Sequence, residues 1–329
     1  MGNTKFLNLL LEKSGEYHPL YGNGLATHLP MVIIALNRLN ASNRKLEDIF
    51  KHSANNLECI GSLDGVTSVD HIEQYLGDSN KFKEYLKYFK NKLKAYGTQA
   101  VLKKSLPVLI SGIAASAFHA LIRLAYAIEA QNQSEIAVAL AYWCTEFQSF
   151  ELSMESTDDT LENILTRLAP LGESYKFSPG IIVDRMSEIG DLLKRKESVI
   201  QPSSINLSNI RYFALKAFYA NDDFTLLHTV TGCHAFSIIM PYLENVDISL
   251  KELWKAVLIA YLSTGLNYAN KEVKLSEGSL DFDPVIRSTL ESNDAHVIKL
   301  VYTCLCEYQK YKEPLYYIVA QRAVLSNSS

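Results

Sequence analysis

The sequence predicts an all-α protein, a single large domain of roughly a dozen helices spanning residues 1–329. Three observations carry this prediction. Glycine and proline are scarce, 15 and 9 of 329 residues, against usual shares of about 7% and 5%. That is too few for the tight turns of a β-sandwich or barrel. Apolar residues recur at helical spacing through most of the chain, and no segment shows a convincing run of apolar/polar alternation. Hydrophobic residues make up 48% and charged residues 21%, which gives the chain a full core and excludes a disordered one.

The elements follow in order. Leu25, His28, Leu29, Val32, Ile33, Leu36 and Leu39 recur at i, i+3, i+4 and i+7, which predicts an amphipathic helix. Ser42 caps the next helix, with Leu46, Ile49 and Phe50 on its inner face. Ser79 caps a charged helix through about Tyr96 that buries Phe82, Tyr85, Leu86, Phe89 and Leu93, its lysine-rich remainder being a solvated face. Pro107 opens an apolar helix to about Ala130, and Ser134 caps another through Phe147. Asp159 and Glu162 give a capping-box pattern for a helix ending near Pro170. Ser178-Pro179 is a cap followed by proline at the first helical position, for a helix to about Lys196. Residues 202–206 read as a loop. Further helices start near Asn206, Asp222, Ser249 and Asn293, with Ser249 and Glu252 as another capping box. Loops are expected at about 61–67, 151–157, 197–205 and 270–283. No repeat of fixed period and no low-complexity tract interrupts the pattern.

Charge and targeting signals narrow the function. Lysine plus arginine number 32 and aspartate plus glutamate 36, a net charge of −4, so no basic field favours nucleic acid. The apolar run that ends at Glu12 is only about five residues, too short for a signal-peptide core of about 7–15 residues. Phe6 stands where myristoylation needs Ser or Thr. The longest uncharged apolar run, Leu106 to Ile122, is interrupted by Pro107, Ser111, Gly112 and Ser116 and reads as a buried helix rather than a membrane span. Cys59, Cys144, Cys233, Cys304 and Cys306 lack zinc-ribbon spacing and read as reduced thiols. A cytoplasmic protein with neither nucleic-acid nor membrane partners is expected, its oligomeric state open. Gly22-Asn23-Gly24 lacks the third glycine of a dinucleotide loop, and neither a nucleophile elbow nor a His-Glu-x-x-His zinc helix occurs. Phosphoryl transfer and serine hydrolysis are therefore not expected.

The eight histidines sort by context. His52 and His71 lie among polar residues, and His18 lies in the loop pattern Tyr17-His18-Pro19. His28 shares a face with Leu25, Val32 and Ile33. His119 falls mid-way along the most apolar helix, with Gly112, Ala115, Ile122 and Tyr126. His228 shares a face with Phe224, Thr231 and Ala235. His296 falls in the first turn of a helix capped by Asn293 or Asp294, with Lys299 one turn on. His234, about 120° round the helix from His228, is a poorer partner for the same site. An imidazole in an apolar stripe is most simply a hydrogen-bonded core residue, but inward-facing histidines on separate helices are also how helical proteins build metal sites. For Lys299 the alternatives are a snorkelling lysine and a desolvated amine with a lowered pKa. Such an amine reacts with carbon dioxide to give a carbamate.

The same segments resemble the questin oxidase family. The likeness lies in Asn23-Gly24-Leu25-Ala26-Thr27-His28-Leu29-Pro30-Met31, in Phe118-His119-Ala120-Leu121-Ile122-Arg123-Leu124-Ala125-Tyr126 with Glu129, in Asp223-Phe224-Thr225-Leu226-Leu227-His228-Thr229-Val230-Thr231, and in Asn293-Asp294-Ala295-His296-Val297-Ile298-Lys299. The four blocks stand in the family's order and cover most of the chain. The resemblance implies an all-helical, oxygen-using oxidoreductase. The family includes enzymes that open the quinone ring of anthraquinones, by chemistry described as Baeyer–Villiger-type or dioxygenase. It also implies non-haem iron held by His28, His119, His228, His296 and a carboxylated Lys299. Ala120 replaces a proline frequent after the second histidine, and the fungal members that act on anthraquinones are longer, so the metal transfers more safely than the substrate.

The expected partners are thus O2 and a small aromatic molecule, a polycyclic phenol or quinone, with NADPH as the candidate external reductant. Tyr126, Glu129 and Thr231 are candidates for orienting ligands. Arg123 is a candidate for holding an anionic oxygen or, more simply, for pairing with an acid. Two rival functions remain at this level: a non-catalytic helical scaffold that binds a hydrophobic ligand or partner, and a metal-dependent hydrolase built on a carbamylated lysine. Convergent imidazoles would favour the metal enzyme over the scaffold. The hydrolase needs several carboxylates, of which these blocks offer few.

Overall fold

A computed structural model describes residues 2–268 and 280–326. Residues 270–279 of the expected loop at 270–283 lie outside the described residues. The all-α expectation holds, with fourteen α-helices and only two-residue strands among the described residues. In order they are α1 (Gly2–Ser14), α2 (Leu29–Arg38), α3 (Asn43–Ala54), α4 (Phe82–Leu109), α5 (His119–Glu129), α6 (Gln133–Thr145), α7 (Leu161–Glu173), α8 (Ile182–Arg195), α9 (Leu207–Asn221), α10 (Phe224–Ile239), α11 (Val246–Leu262), α12 (Phe282–Glu291), α13 (Ala295–Tyr311) and α14 (Pro314–Ser326). The strands make an antiparallel hairpin, β1 (Leu20–Tyr21) with β2 (Leu25–Ala26), and a parallel clip, β3 (Ser156–Thr157) with β4 (Gln201–Pro202).

One hydrophobic core runs through the chain from Leu7 to Val324. The helices α6, α10 and α11 are buried around most of their circumference. They lie at the centre, where a helix needs no polar face. The outer helices α3 and α8 bury one stripe each, Leu46 with Ile49 and Met186 with Ile189 and Leu193. Around the centre, α2 packs on α5, α5 on α10, α10 on α13 and α13 back on α2, a closed ring of four helices.

Many boundaries are set by side-chain caps. Ser42, Asn206 and Asp294 cap α3, α9 and α13 as the sequence suggests, and Asp223 rather than Asp222 caps α10. Elsewhere the caps shift. Asp78 caps the short 3₁₀ turn Ser79–Lys81 that leads into α4. Asn132, not Ser134, caps α6, and Thr160, not Asp159, caps α7. The helix expected from Ser178-Pro179 begins at Ile182, where the Asp184 carboxylate accepts the Ile181 N–H at 2.8 Å. Asn245 caps α11, and Ser249 lies inside that helix with its hydroxyl donating to the Asn245 carbonyl at 2.7 Å. Residues 201–202, inside the expected loop at 197–205, pair with 156–157, at the end of the expected loop at 151–157.

Two corrections bear on the site. Leu25 belongs to the hairpin, is 49% exposed, and lies outside the α2 stripe. Pro107 does not open a long helix. It sits near the end of α4, which is followed by the 3₁₀ turn Ile110–Gly112 and then by Ser116, Ala117 and Phe118, all with positive φ (49°, 52° and 69°). A left-handed turn of L-residues breaks the helix, so α5 starts anew at His119.

Candidate metal centre

The four histidines singled out by the apolar stripes sit at the N-terminal ends of the four ring helices. His28 is the N-cap of α2, His119 is the first residue of α5, His296 is the second of α13, and His228 is in the second turn of α10. The helix starts therefore converge, and the imidazoles meet where they do. The His28 and His119 Nε2 atoms are 2.8 Å apart. Ring centroids lie 4.5 Å apart for His28–His296, 4.5 Å for His119–His228 and 5.6 Å for His228–His296. One ligand atom from each of His28, His119 and His228 falls within 4.8 Å of the others. His296 joins this trio through its ring contacts. Lys299, one turn beyond His296, is fully buried beside them.

Local structure orients each ring. The His119 Nδ1 donates to the Ser116 carbonyl at 2.6 Å, and the His228 Nδ1 donates to the Phe224 carbonyl at 2.8 Å. With Nδ1 so engaged, each ring offers its Nε2 lone pair inward, an orientation assigned from the hydrogen-bond network. The segment before His119 is held from α6, where the Tyr142 hydroxyl donates to Ser116 Oγ at 2.6 Å and the Trp143 indole N–H to the Gly112 carbonyl at 2.8 Å. Gly232 on α10 gives Phe118 its place, since a Cβ there would stand 3.0 Å from the ring. Asp294 caps α13 by accepting from the His296 and Val297 N–H groups at 2.7 and 3.2 Å. Its carboxylate also lies 3.7 Å from His296 Nδ1.

Electrostatics keep the imidazoles uncharged. Burial, reinforced by Lys299, pushes His119 down to about 3. Burial and the neighbouring cationic groups hold His28 and His228 well below the usual imidazole range, and burial lowers His296 as well. Burial brings Lys299 down to about 7. The positive ends of four helix dipoles act in the same direction and favour anionic occupants. Asp294, beside His296 and the helix N–H groups, is lowered to about 2 and stays ionised.

These residues fit a metal ion. His228 Nε2, His296 Nε2 and Lys299 Nζ are buried without a hydrogen-bond partner among the described residues. Such orphaned atoms are costly, and a shared cation removes that cost for neutral imidazoles. Nitrogen donors of this kind suit first-row transition metals.

The other predicted residues lie elsewhere. Arg123 is buried in an ion pair with Glu135 of α6, with Nη2 to Oε2 at 3.2 Å, so the structure shows the pairing alternative. The Tyr126 hydroxyl points at the Lys299 carbonyl at 3.5 Å, behind the cluster, and Glu129 accepts from the Tyr302 hydroxyl at 3.0 Å. Neither makes a hydrogen bond or ring contact with an imidazole among the described residues. Thr231 donates to the Leu227 and His228 carbonyls within its own helix. His234 belongs to a separate network, bonded to Glu307 at 2.8 Å, which also takes Arg211 and Tyr316 at 3.3 Å. His52 and His71 are exposed, and His18 is half-buried against Phe82. Sequence reasoning missed Ser116 and Tyr142 as the groups that aim His119. It also missed Phe224 as more than a stripe residue, although its place four residues before His228 was a usable signal. All five cysteines are free thiols. No helix among the described residues is long and apolar enough to cross a membrane.

A search of curated proteins finds no match to this chain. The Questin oxidase-like family model matches residues 25–304 of the 329, a span that takes in all four clustered histidines and Lys299, so the chain belongs to the Questin oxidase-like family, a membership that points to an oxygenase-type oxidoreductase.

Proposed function

We propose that this chain is a non-haem-iron oxygenase that cleaves a polycyclic phenol or quinone-like small molecule oxidatively, with O2 as co-substrate and NADPH as external reductant. The observation that carries the proposal is the convergence of three imidazole ligand atoms within 4.8 Å, with His296 and Lys299 packed beside them. His28, His119, His228 and His296 would hold the metal, and a carboxylated Lys299 would add an anionic oxygen. Bound iron supplies the one-electron chemistry that lets triplet oxygen react with a closed-shell organic molecule.

The chain's own residues prepare that site. The Ser116 and Phe224 carbonyls fix two rings with their lone pairs inward. Burial of Lys299 leaves a substantial neutral amine fraction near pH 7. That amine adds to carbon dioxide, forming an N–C bond and releasing one proton to solvent, and the resulting carbamate is favoured by the helix N-termini around it. The apolar walls of α5 and α10 limit water and stray oxidation. Tyr126 stands behind Lys299 as a positioning group rather than a catalytic one. A hydrolase would need more carboxylates than Asp294 supplies here.

The test is oxygen uptake by iron-loaded protein across a panel of polyphenols and quinones, with and without NADPH, followed by mass analysis of products formed under ¹⁸O2. Iron-dependent uptake with label in a ring-opened product is expected. Iron-loaded protein that consumes no oxygen with any member of the panel contradicts the proposal.

A further inference from the structure

Phe224 opens α10 directly after its cap, Asp223, and lends its carbonyl to His228. Its side chain behaves unlike an ordinary core phenylalanine. It is 51% exposed, yet its ring centroid lies 4.5 Å from that of His296 and 4.9 Å from that of His228. Among the exposed large apolar side chains of the described residues, it is the one in ring contact with the cluster. His296 beneath it is itself 23% exposed, so the cluster reaches solvent at this rim. Leu25, three residues before His28, is a second large apolar side chain standing exposed next to a site residue in the chain. An apolar ring half in water leaves part of its burial free energy unrealised until something covers it. Aromatic faces are covered best by other aromatic faces in offset or edge-on contact.

We propose that Phe224 is the substrate-positioning and specificity-determining residue of this site, its exposed surface stacking a planar polycyclic ring system at the rim beside His296. This rests on the oxygenase reading above and adds the shape of the ligand to it. A flat, extended π-system covers the exposed ring, whereas a non-planar phenol of similar hydrophobicity covers it poorly. The preference is therefore for planarity, beyond apolar character alone.

The test uses full-length wild-type protein, Phe224→Ala and Phe224→Trp. The metal content of each is measured by elemental analysis. Each is then titrated with a planar trihydroxyanthraquinone, followed by its visible absorption, and with 4-cyclohexylphenol as the non-planar control, followed calorimetrically. Phe224→Ala should keep its metal, bind the anthraquinone about tenfold more weakly, and change less than about threefold toward the control. Phe224→Trp should bind the anthraquinone at least as well as wild type. Metal-bearing Phe224→Ala that binds the anthraquinone like wild type overturns the Phe224 assignment and leaves the oxygenase reading standing. Equal loss of both ligands shows a merely structural role and overturns it too. Wild-type protein with neither metal nor anthraquinone binding overturns both readings together.

Discussion

The Nδ1 of His119 lies 2.6 Å from the carbonyl oxygen of Ser116, and that carbonyl is aimed by backbone in the left-handed region. Three successive residues with positive φ, none of them glycine, cost roughly 1–3 kcal/mol each. Such a turn persists because the surroundings hold it. Tyr142 and Trp143 of α6 bond to the segment, and Phe118 packs into the space beside Gly232. The strain sits where it starts a helix with an imidazole already pointed.

Tyr142→Phe should therefore loosen His119 without touching it. Loss of the hydroxyl bond to Ser116 is expected to cost about 1 kcal/mol of stability and to weaken metal binding by about tenfold or more. Urea unfolding and a chelator-competition titration measure the two effects. Metal affinity equal to wild type would show that the turn aims His119 unaided.

Lys299 makes an opposing prediction for stability. Its amine titrates at about 7 in the folded chain and at 10.5 ordinarily, so between these values the unfolded state binds more protons. Stability of the metal-free protein should rise across that window by up to about 1.4 kcal/mol per pH unit. Lys299→Met should lose this slope, be more stable than wild type at pH 7, and carry no metal. A variant with the wild-type slope between pH 7 and pH 9 would place the buried charge elsewhere.

The imidazoles work in the acid direction. His119 is held at about 3 against an ordinary 6.5, and the other three are also lowered. As pH falls below 6.5 the unfolded chain takes up protons that the folded chain refuses, so the metal-free protein should lose stability steadily toward pH 3. His119→Gln should show a shallower fall by up to about 1.4 kcal/mol per pH unit. Unfolding midpoints at pH 7, 6 and 5 decide this, and parallel curves for variant and wild type would contradict it.

Arg123 should prove structural. Both partners of its ion pair with Glu135 are buried, and removing one leaves the other uncompensated. Arg123→Met should cost about 3–5 kcal/mol, while the double change Arg123→Met with Glu135→Leu should recover most of that. Metal content should match wild type in the double variant, as read by elemental analysis. Loss of metal there would return Arg123 to the site.

Much of this was legible in the residues. Helical periodicity and scarce breakers gave the fold class, and the polar residue before each apolar run located most helix starts within a few positions. The histidine set was legible because an imidazole in an apolar stripe is a local anomaly. The turn at 116–118 was not, because Ser, Ala and Phe carry no preference for left-handed backbone and tertiary packing alone imposes it. For the same reason His119 was expected in mid-helix. For Arg123 the residues offered both an anion-holding role and pairing with an acid, but not which acid, because Glu135 lies on another helix and a sequence does not show which residues meet across helices. The two-residue strands were too short to leave an alternation.

The most direct test of the central claim is the metal content of the protein as purified, with His119→Ala measured beside it. Stoichiometric iron in the wild type, confirmed by anomalous scattering at the imidazole cluster and lost in His119→Ala, is the predicted result. Wild-type protein free of iron, manganese and zinc, and unable to take up iron when reconstituted, would contradict it.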